Sequence, residues 1–260
     1  MKGRGVRINF KNYPFYFMLN LLKDTFRIYK KHISMVLFFS ITFIISLGIQ
    51  ILSPAPVYLS LGGYFLRVGS LPILTLFDVI SIFLFSVVSL LFLCLALVSI
   101  TLIVKVTKTR TKVSLETMEN LERYTLSVFS LFLIVKVIAT IILLFSIHYG
   151  LDEIYAIIFT FVASLGLFYS TPAIVLEERK PIQAFISSYV HIFRKPFHFV
   201  LWLVLAFVLL SVTTHIVYSL IGEVILRQII VVLINSLLIL PILIIFMAEI
   251  YLTKYTIIEK

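Results

Sequence analysis

Three ionisable residues of this chain stand inside long apolar runs, where a charge is costly and marks a candidate functional site. Lys136 lies near the middle of one run, Glu249 lies inside the last run, and Asp78 lies near one end of another. Such side chains line the paths of ions and polar solutes when they face the interior of a helix bundle. We therefore take these three residues as candidate intramembrane polar or transport residues.

Lys136 and Glu249 carry opposite charges, and two arrangements satisfy them. In the first, they form an interhelical ion pair that lines a cavity near the inner membrane face. In the second, each side chain extends separately to water. The flexible stem of Lys136 is expected to reach inward along its helix, and the sequence leaves both alternatives open.

Pro172 and Pro241 interrupt helical runs, and Gly166 and Ser170 accompany the first of them. A proline inside a helix frees a backbone carbonyl and kinks the helix, and transporters use such breaks at their binding sites. Both prolines are therefore candidate hinges, although kinks without a role in transport are also common.

Metal and enzyme signatures are missing from the sequence. The acidic and imidazole side chains expected on the outer side have no spacing that would place several ligands on one helix, so we predict neither a metal nor another cofactor. These residues are Asp78, His148, Asp152, Glu153, His215 and Glu223. The chain has no phosphate-binding loop, nucleophile elbow or His-Glu-x-x-His motif, and we predict no enzymatic activity.

The composition indicates the elements that hold these residues. Hydrophobic residues make up 61% of the chain and charged residues 13%, against about 45–50% and about 25% in soluble domains. Apolar runs of about 20 residues are long enough to cross a bilayer as helices. We predict an all-α, polytopic fold in one transmembrane domain over residues 1–260, which opens with a basic segment at 1–32. The six spans are predicted at about 33–53, 73–106, 126–148, 154–176, 196–221 and 226–255.

The distribution of positive charge predicts the orientation. Of the 22 Lys and Arg residues, all but Arg67, Arg227 and Lys136 fall in the N-terminal segment, the tail, or the connections after spans two and four. Because Lys and Arg concentrate on the cytoplasmic side, we predict a cell-membrane protein with both termini in the cytoplasm. The net charge of +10 is then a topology signal, and the predicted partner is the lipid bilayer, not nucleic acid.

The segments before spans one, three and five each place apolar residues at helical spacing opposite polar ones. These stripes are Leu19, Leu22, Phe26 and Tyr29; then Leu115, Met118 and Leu121; then Ile182, Phe185, Ile186, Tyr189 and Phe193. Such helices are suited to the plane of the inner headgroups, and Pro181 is well placed in the first turn of the third. The alternative is that these segments are ordinary loops with a helical turn.

The stretch TPAIVLEERKPIQAFISSYVHIFRKPF, Thr171 to Phe197, resembles a pattern in six-span prokaryotic membrane proteins of the YciC-like type. It is also similar to the membrane region attached to some glycerophosphodiesterases. The shared elements are Pro172 late in a span, Glu177 at its cytoplasmic exit, and Ala184 and Ser188 on the following amphipathic helix. The resemblance implies a six-span architecture; no phosphodiesterase domain is present, so that activity is not implied.

Two functions compete on these observations. A permease-like transport component, driven by a separate ATPase, fits the six spans, the two prolines and Lys136. A scaffold that binds a cytoplasmic or membrane partner protein, through its spans or its cytoplasmic-face helices, fits the scarcity of polar residues at mid-membrane depth. A membrane enzyme acting on lipids is a third reading, which lacks a convergent acid, base or metal set.

Overall fold

The computed structural model describes residues 14–51, 58–60, 63–65, 76–109, 115–149 and 154–254, nearly all of them helical. The α-helices are α1 (Pro14–Lys31), α2 (Ile33–Ile51), α3 (Leu76–Thr109), α4 (Leu115–His148), α5 (Ile154–Phe168), α6 (Ser170–Glu177), α7 (Pro181–Arg194), α8 (Pro196–Leu220), α9 (Val224–Ile234) and α10 (Leu240–Leu252). A π-helical turn, Asn235–Ile239, joins α9 to α10. Strands β1 (Tyr58–Ser60) and β2 (Gly63–Phe65) pair in a short antiparallel hairpin. Apart from that hairpin, the predicted all-α fold is confirmed.

Within the described residues, five helical segments are long and apolar enough to cross a membrane. They are Ile80–Lys108, Asn120–Ser146, Ile154–Glu177, Pro196–Leu220 and Val224–Leu252. A sixth is present if the helices on either side of a 91° bend, Leu19–Lys31 and Ile33–Ile49, are counted together. By length and composition, these helices are compatible with the predicted multi-pass membrane protein. The chain termini, Arg67, Asp152 and Glu153 lie outside the described residues.

The segment before the third predicted span differs from our expectation. Residues 115–123 are the first turns of α4, which continues without interruption from Leu115 to His148, so no separate in-plane helix precedes it. The physical reason is local: this stretch contains no proline or glycine to end the helix, and its Glu and Leu residues favour continuation.

The centre of the bundle is formed by α3 and α10. Every residue of α10 from Leu240 to Tyr251 is buried, and the half of α3 that contains Ala96 and Val104 is packed against it. By contrast, α8 buries only Ala206 and Val217, and α9 buries none of its residues. The outer helices therefore present most of their apolar surface outward, as helices surrounded by lipid do.

Helix α7 exposes several large apolar side chains. Ala184 and Ser188 belong to the buried face, whereas Ile182, Ile186 and Phe193 are exposed. Several large apolar side chains of α7 thus point outward, whereas Ile192 is buried and Phe185 packs against the core. This arrangement suits a helix that is partly immersed in lipid.

Close packing of α7 against α5 depends on Gly166. A methyl group added to this glycine would lie 2.3 Å from the ring of Phe185, well inside van der Waals contact. The tight approach also lets the Tyr189 hydroxyl donate to the Val162 carbonyl, at 2.5 Å. Glycine at position 166 therefore sets the distance between α5 and α7.

We expect Gly166→Ala to destabilise the fold by about 1–3 kcal/mol, because the Phe185 ring must move out of its packed position. Cys94 is the only cysteine of the chain and is buried, so its labelling by a thiol-reactive dye on heating in detergent reports unfolding. Gly48→Ala is the matched control, since nothing lies within 4 Å of an added methyl there; it should be neutral or slightly stabilising. Equal midpoints for the two variants would contradict the packing argument.

Candidate functional site

Lys136 and Glu249 do not pair. The Lys136 ammonium donates to the Ser86 carbonyl, at 3.4 Å, whereas Glu249 pairs with Lys108. Ser86 and Lys108 are 22 positions apart on α3, which is about 33 Å along a helix. The Lys136 ammonium therefore lies far along α3 from Lys108, and the inward reach of its stem stays a prediction. We call the end of the bundle that contains Lys108 the basic end.

Glu249 lies in the most buried helix and forms one ion pair with the described residues. Its carboxylate is 3% exposed and lies 2.8 Å from the Lys108 ammonium, which is 42% exposed. The Asp24 carboxylate of α1 is close enough to interact with Glu249 electrostatically. The second carboxylate oxygen, Oε1, accepts no hydrogen bond from any described residue. Within the described ranges, the site is therefore a buried acid with a single lysine counter-ion and one oxygen without a hydrogen bond.

The C-terminal end of α6 adds three further ion pairs to the basic end. Buried Glu177 pairs with Lys254, just beyond α10, and with Arg179. Glu178 has a left-handed backbone, with φ of 57°, and its carboxylate accepts a hydrogen bond of 2.8 Å from Lys105 of α3. That hydrogen bond holds the pKa of the Glu178 carboxyl below its usual value. Together with Lys108–Glu249, these pairs connect the ends of α3, α6 and α10.

Beside the ion pairs lies a buried aromatic group formed by Tyr169, His191 and Tyr251. The ring of His191 lies 4.7 Å from that of Tyr169 and 5.1 Å from that of Tyr251. Burial, together with the positive charges of Lys195 and Lys254, lowers the pKa of His191 to about 4, so the imidazole is neutral at physiological pH. Neither His191 Nε2 nor the Tyr169 hydroxyl has a hydrogen-bond partner among the described residues.

The break between α5 and α6 is bridged by Ser188 of α7. In a regular helix the Tyr169 N–H would donate to the Leu165 carbonyl four residues earlier. Here the Tyr169 N–H donates to the Ser188 hydroxyl at 2.9 Å, and that hydroxyl donates to the Leu165 carbonyl at 2.6 Å. A side chain from the amphipathic helix thus replaces the missing backbone hydrogen bond. Pro172 follows three residues later and provides no N–H of its own.

The break before α10 is satisfied in the same way by α1. Pro241 has no N–H to donate to the Leu237 carbonyl four residues earlier. The Tyr29 hydroxyl donates to that carbonyl at 3.0 Å. Each proline-containing break therefore receives a hydroxyl group from an amphipathic helix that packs across it.

The residues selected from the sequence fall into separate places. Pro172, Glu177, Ala184 and Ser188 converge where α6 meets α7, and Pro181 stands in the first turn of α7. Pro241 and Glu249 lie on α10, and Lys136 contacts α3 far from them. Asp78 lies in the first turn of α3, and its side chain is outside the described residues.

Sequence reasoning missed Lys108, Tyr169 and Tyr29. Lys108 was counted only as a topology signal, and nothing in the sequence pairs either tyrosine with a broken helix. Gly166 and Ser170 were the signals closest to the Tyr169 break. In the described part of the chain, no group of three or more His, Cys, Asp or Glu side chains is placed to hold a metal ion.

No protein-family model, curated protein or solved structure matches this chain. The resemblance of Thr171–Phe197 to YciC-like proteins therefore stays a prediction, and the function must be argued from the residues themselves.

Ser188→Ala should lower the free energy of unfolding by about 1–3 kcal/mol, because it leaves the Tyr169 N–H and the Leu165 carbonyl without a partner away from water. The dye reaction of Cys94 on heating measures this loss. Ser164→Ala is the control, since that exposed hydroxyl donates only to a carbonyl of its own helix; it should cost less than about 0.5 kcal/mol. Similar stabilities for the two variants would show that Ser188 does not bridge the break.

Removing Lys108 should lower the free energy of unfolding more than removing the charge of Glu249. Lys108→Met strands a buried carboxylate and should cost about 2–4 kcal/mol, whereas Glu249→Gln leaves a lysine that reaches water and should cost about 1 kcal/mol or less. The double variant Lys108→Met/Glu249→Leu should recover most of the loss, because it buries no charge. Equal losses in the two single variants, measured by thermal unfolding in detergent, would contradict the asymmetry.

Proposed function

We propose that this chain is a multi-pass membrane protein without enzymatic activity of its own that serves as a permease-like component of a transport system. The observation that carries the proposal is the buried Glu249 carboxylate on the central helix α10, with one oxygen free of hydrogen bonds from the described residues. Buried acids inside a membrane bundle typically mark the path of an ion or a polar solute. Glu249 is the residue that we assign to that path.

The breaks in the helices support the same proposal. Glu249 follows the π-helical turn and Pro241 on α10, and Glu177 follows the break at Tyr169 on α6. Discontinuous helices at binding sites let one half of a span move while the other half stays packed. Because ion pairs join α3, α6 and α10 at the basic end, a movement of α6 or α10 would exchange these pairs. The pairs are suited to act as the gate of the proposed path.

The proposed topology has six spans, with α1 and α7 lying in the plane of the inner headgroups. The 91° bend after α1 and the outward apolar face of α7 support in-plane positions for these two helices. The basic end then faces the cytoplasm of a cell membrane, together with both termini, because lysine and arginine concentrate there.

A scaffold function is the second candidate, and the surface of α8 favours it. Of the 25 residues in this helix, only Ala206 and Val217 are buried, while Phe207 and Val204 point outward. A transmembrane partner protein could bind along this face. In that case the core of α3 and α10 would be a static support, with no need to open.

Cysteine accessibility separates the two functions. In a Cys94→Ala background, Ala248→Cys reports on α10 beside Glu249, and Ala96→Cys on α3 is the matched control; both alanines are fully buried. For a transport protein, we expect an impermeant thiol reagent to label Ala248→Cys from at least one side of sealed vesicles and to leave Ala96→Cys unlabelled. No labelling at either position would indicate a static core and favour the scaffold.

Purification in gentle detergent tests the partner of the same protein. A stoichiometric ATPase that co-purifies would support the transport function. If a different membrane enzyme or complex co-purifies, and if Ala248→Cys also stays unlabelled, the two results would instead identify the chain as a scaffold.

A further inference from the structure

The outward face of α1 combines basic and apolar residues in a way that its packing role does not explain. Leu21 and Ile28 are buried against the bundle. The other side of the helix faces outward and is lined by Lys23, Phe26, Arg27, Lys30 and Lys31. We call these five residues the α1 basic patch.

The charges of this patch are largely uncompensated. Asp24 lies 3.2 Å from Arg27 and pairs with it. Lys23, Lys30 and Lys31 form no ion pair with any described residue. Three ammonium groups therefore remain available on one helical face, where they repel one another unless an anion lies between them.

Apolar residues border the patch on one side. Phe26 and Leu19 are about half exposed, and the helical spacing places them along one edge of the outward face, next to Lys23 and Lys30. An apolar edge beside a basic face is typical of a helix at a membrane surface. In such a helix the aromatic rings enter the acyl region and the lysines contact the lipid phosphates. Clusters of lysine and arginine on such helices bind anionic lipids. An acidic protein or a nucleic acid would match the charge but not the exposed phenyl ring.

We propose that the α1 basic patch binds the headgroups of anionic phospholipids. The proposal is independent of the transport function, since it depends only on α1 lying at the bilayer surface. It adds a ligand class, an acidic lipid phosphate, to a helix that also contacts the break in α10 through Tyr29.

The test is native mass spectrometry of the full chain in detergent, titrated with phosphatidylglycerol or phosphatidylcholine. The wild-type protein should retain phosphatidylglycerol in preference to phosphatidylcholine. The triple variant Lys23→Gln/Lys30→Gln/Lys31→Gln should bind it at least about tenfold more weakly, because each charge near the surface contributes about 1 kcal/mol. The control variant Arg123→Gln/Lys180→Gln/Arg194→Gln removes three exposed charges elsewhere at the basic end and should keep wild-type affinity.

Equal losses in the two triple variants, or equal binding of both lipids by wild type, would overturn the proposal. A photo-crosslinking residue in place of Phe26, in an otherwise unchanged chain, tests it without removing a charge. It should capture more phosphatidylglycerol than the same residue in place of Ile186, which is exposed on α7. Equal capture at the two positions would also overturn the proposal. So would a result in which added polyglutamate, but not added phosphatidylglycerol, blocks crosslinking at position 26.

Discussion

Backbone groups that are cut off from water must find partners inside the protein, and in this chain that constraint fixes the position of two helices. In hydrocarbon, an unsatisfied N–H or carbonyl costs several kcal/mol. The breaks at Tyr169 and Pro241 each expose such groups, and hydroxyls from outside the broken helix satisfy them: Ser188 at the first and Tyr29 at the second. Helices α7 and α1 are therefore held by directional hydrogen bonds as well as by packing. The broken spans are stable only while these two helices remain docked.

The charged groups of the basic end depend on the same arrangement. Because Ser188 and Gly166 bring α7 against the α5–α6 junction, His191 is enclosed between Tyr169 and Tyr251. Enclosure keeps its imidazole neutral, so no further positive charge is added beside Lys195 and Lys254. The Lys195 ammonium donates to the Thr253 hydroxyl at 2.9 Å, which connects the start of α8 to the end of α10. Docking of α7 therefore supplies the Ser188 hydrogen bonds at the break and also positions residues beside the ionic contacts of α6 and α10.

The sequence predicted those structural features that depend on a single segment of the chain. Runs of apolar residues predicted the long helices, because hydropathy is a local property. Pro172 and Pro241 lie close to the irregularities at Tyr169 and Asn235–Ile239, and their role as hinges stays a prediction. Of the two arrangements left open for Lys136 and Glu249, the ion pair is not formed. The sequence could not decide this, because pairing depends on which helices are neighbours at that depth. The role of Ser188 could not be predicted either, since its two hydrogen-bond partners lie 19 and 23 residues earlier. Helix formation could therefore be predicted from the sequence, whereas the packing between distant segments could not.

The two buried charges differ in a way that makes Glu249 the stronger candidate for a functional site. A lysine has a long apolar stem that can move its ammonium along the helix to a polar group, as Lys136 does at the Ser86 carbonyl. A glutamate has a short stem and stays near the depth of its own backbone. Glu249 therefore needs a partner brought to it, and Lys108 extends inward from the half-exposed end of α3 to provide one. A buried acid whose only ion pair comes from a lysine that also reaches water can exchange that lysine for another cation. Among the described residues, the Lys136 ammonium has only a backbone contact and no comparable ion to exchange.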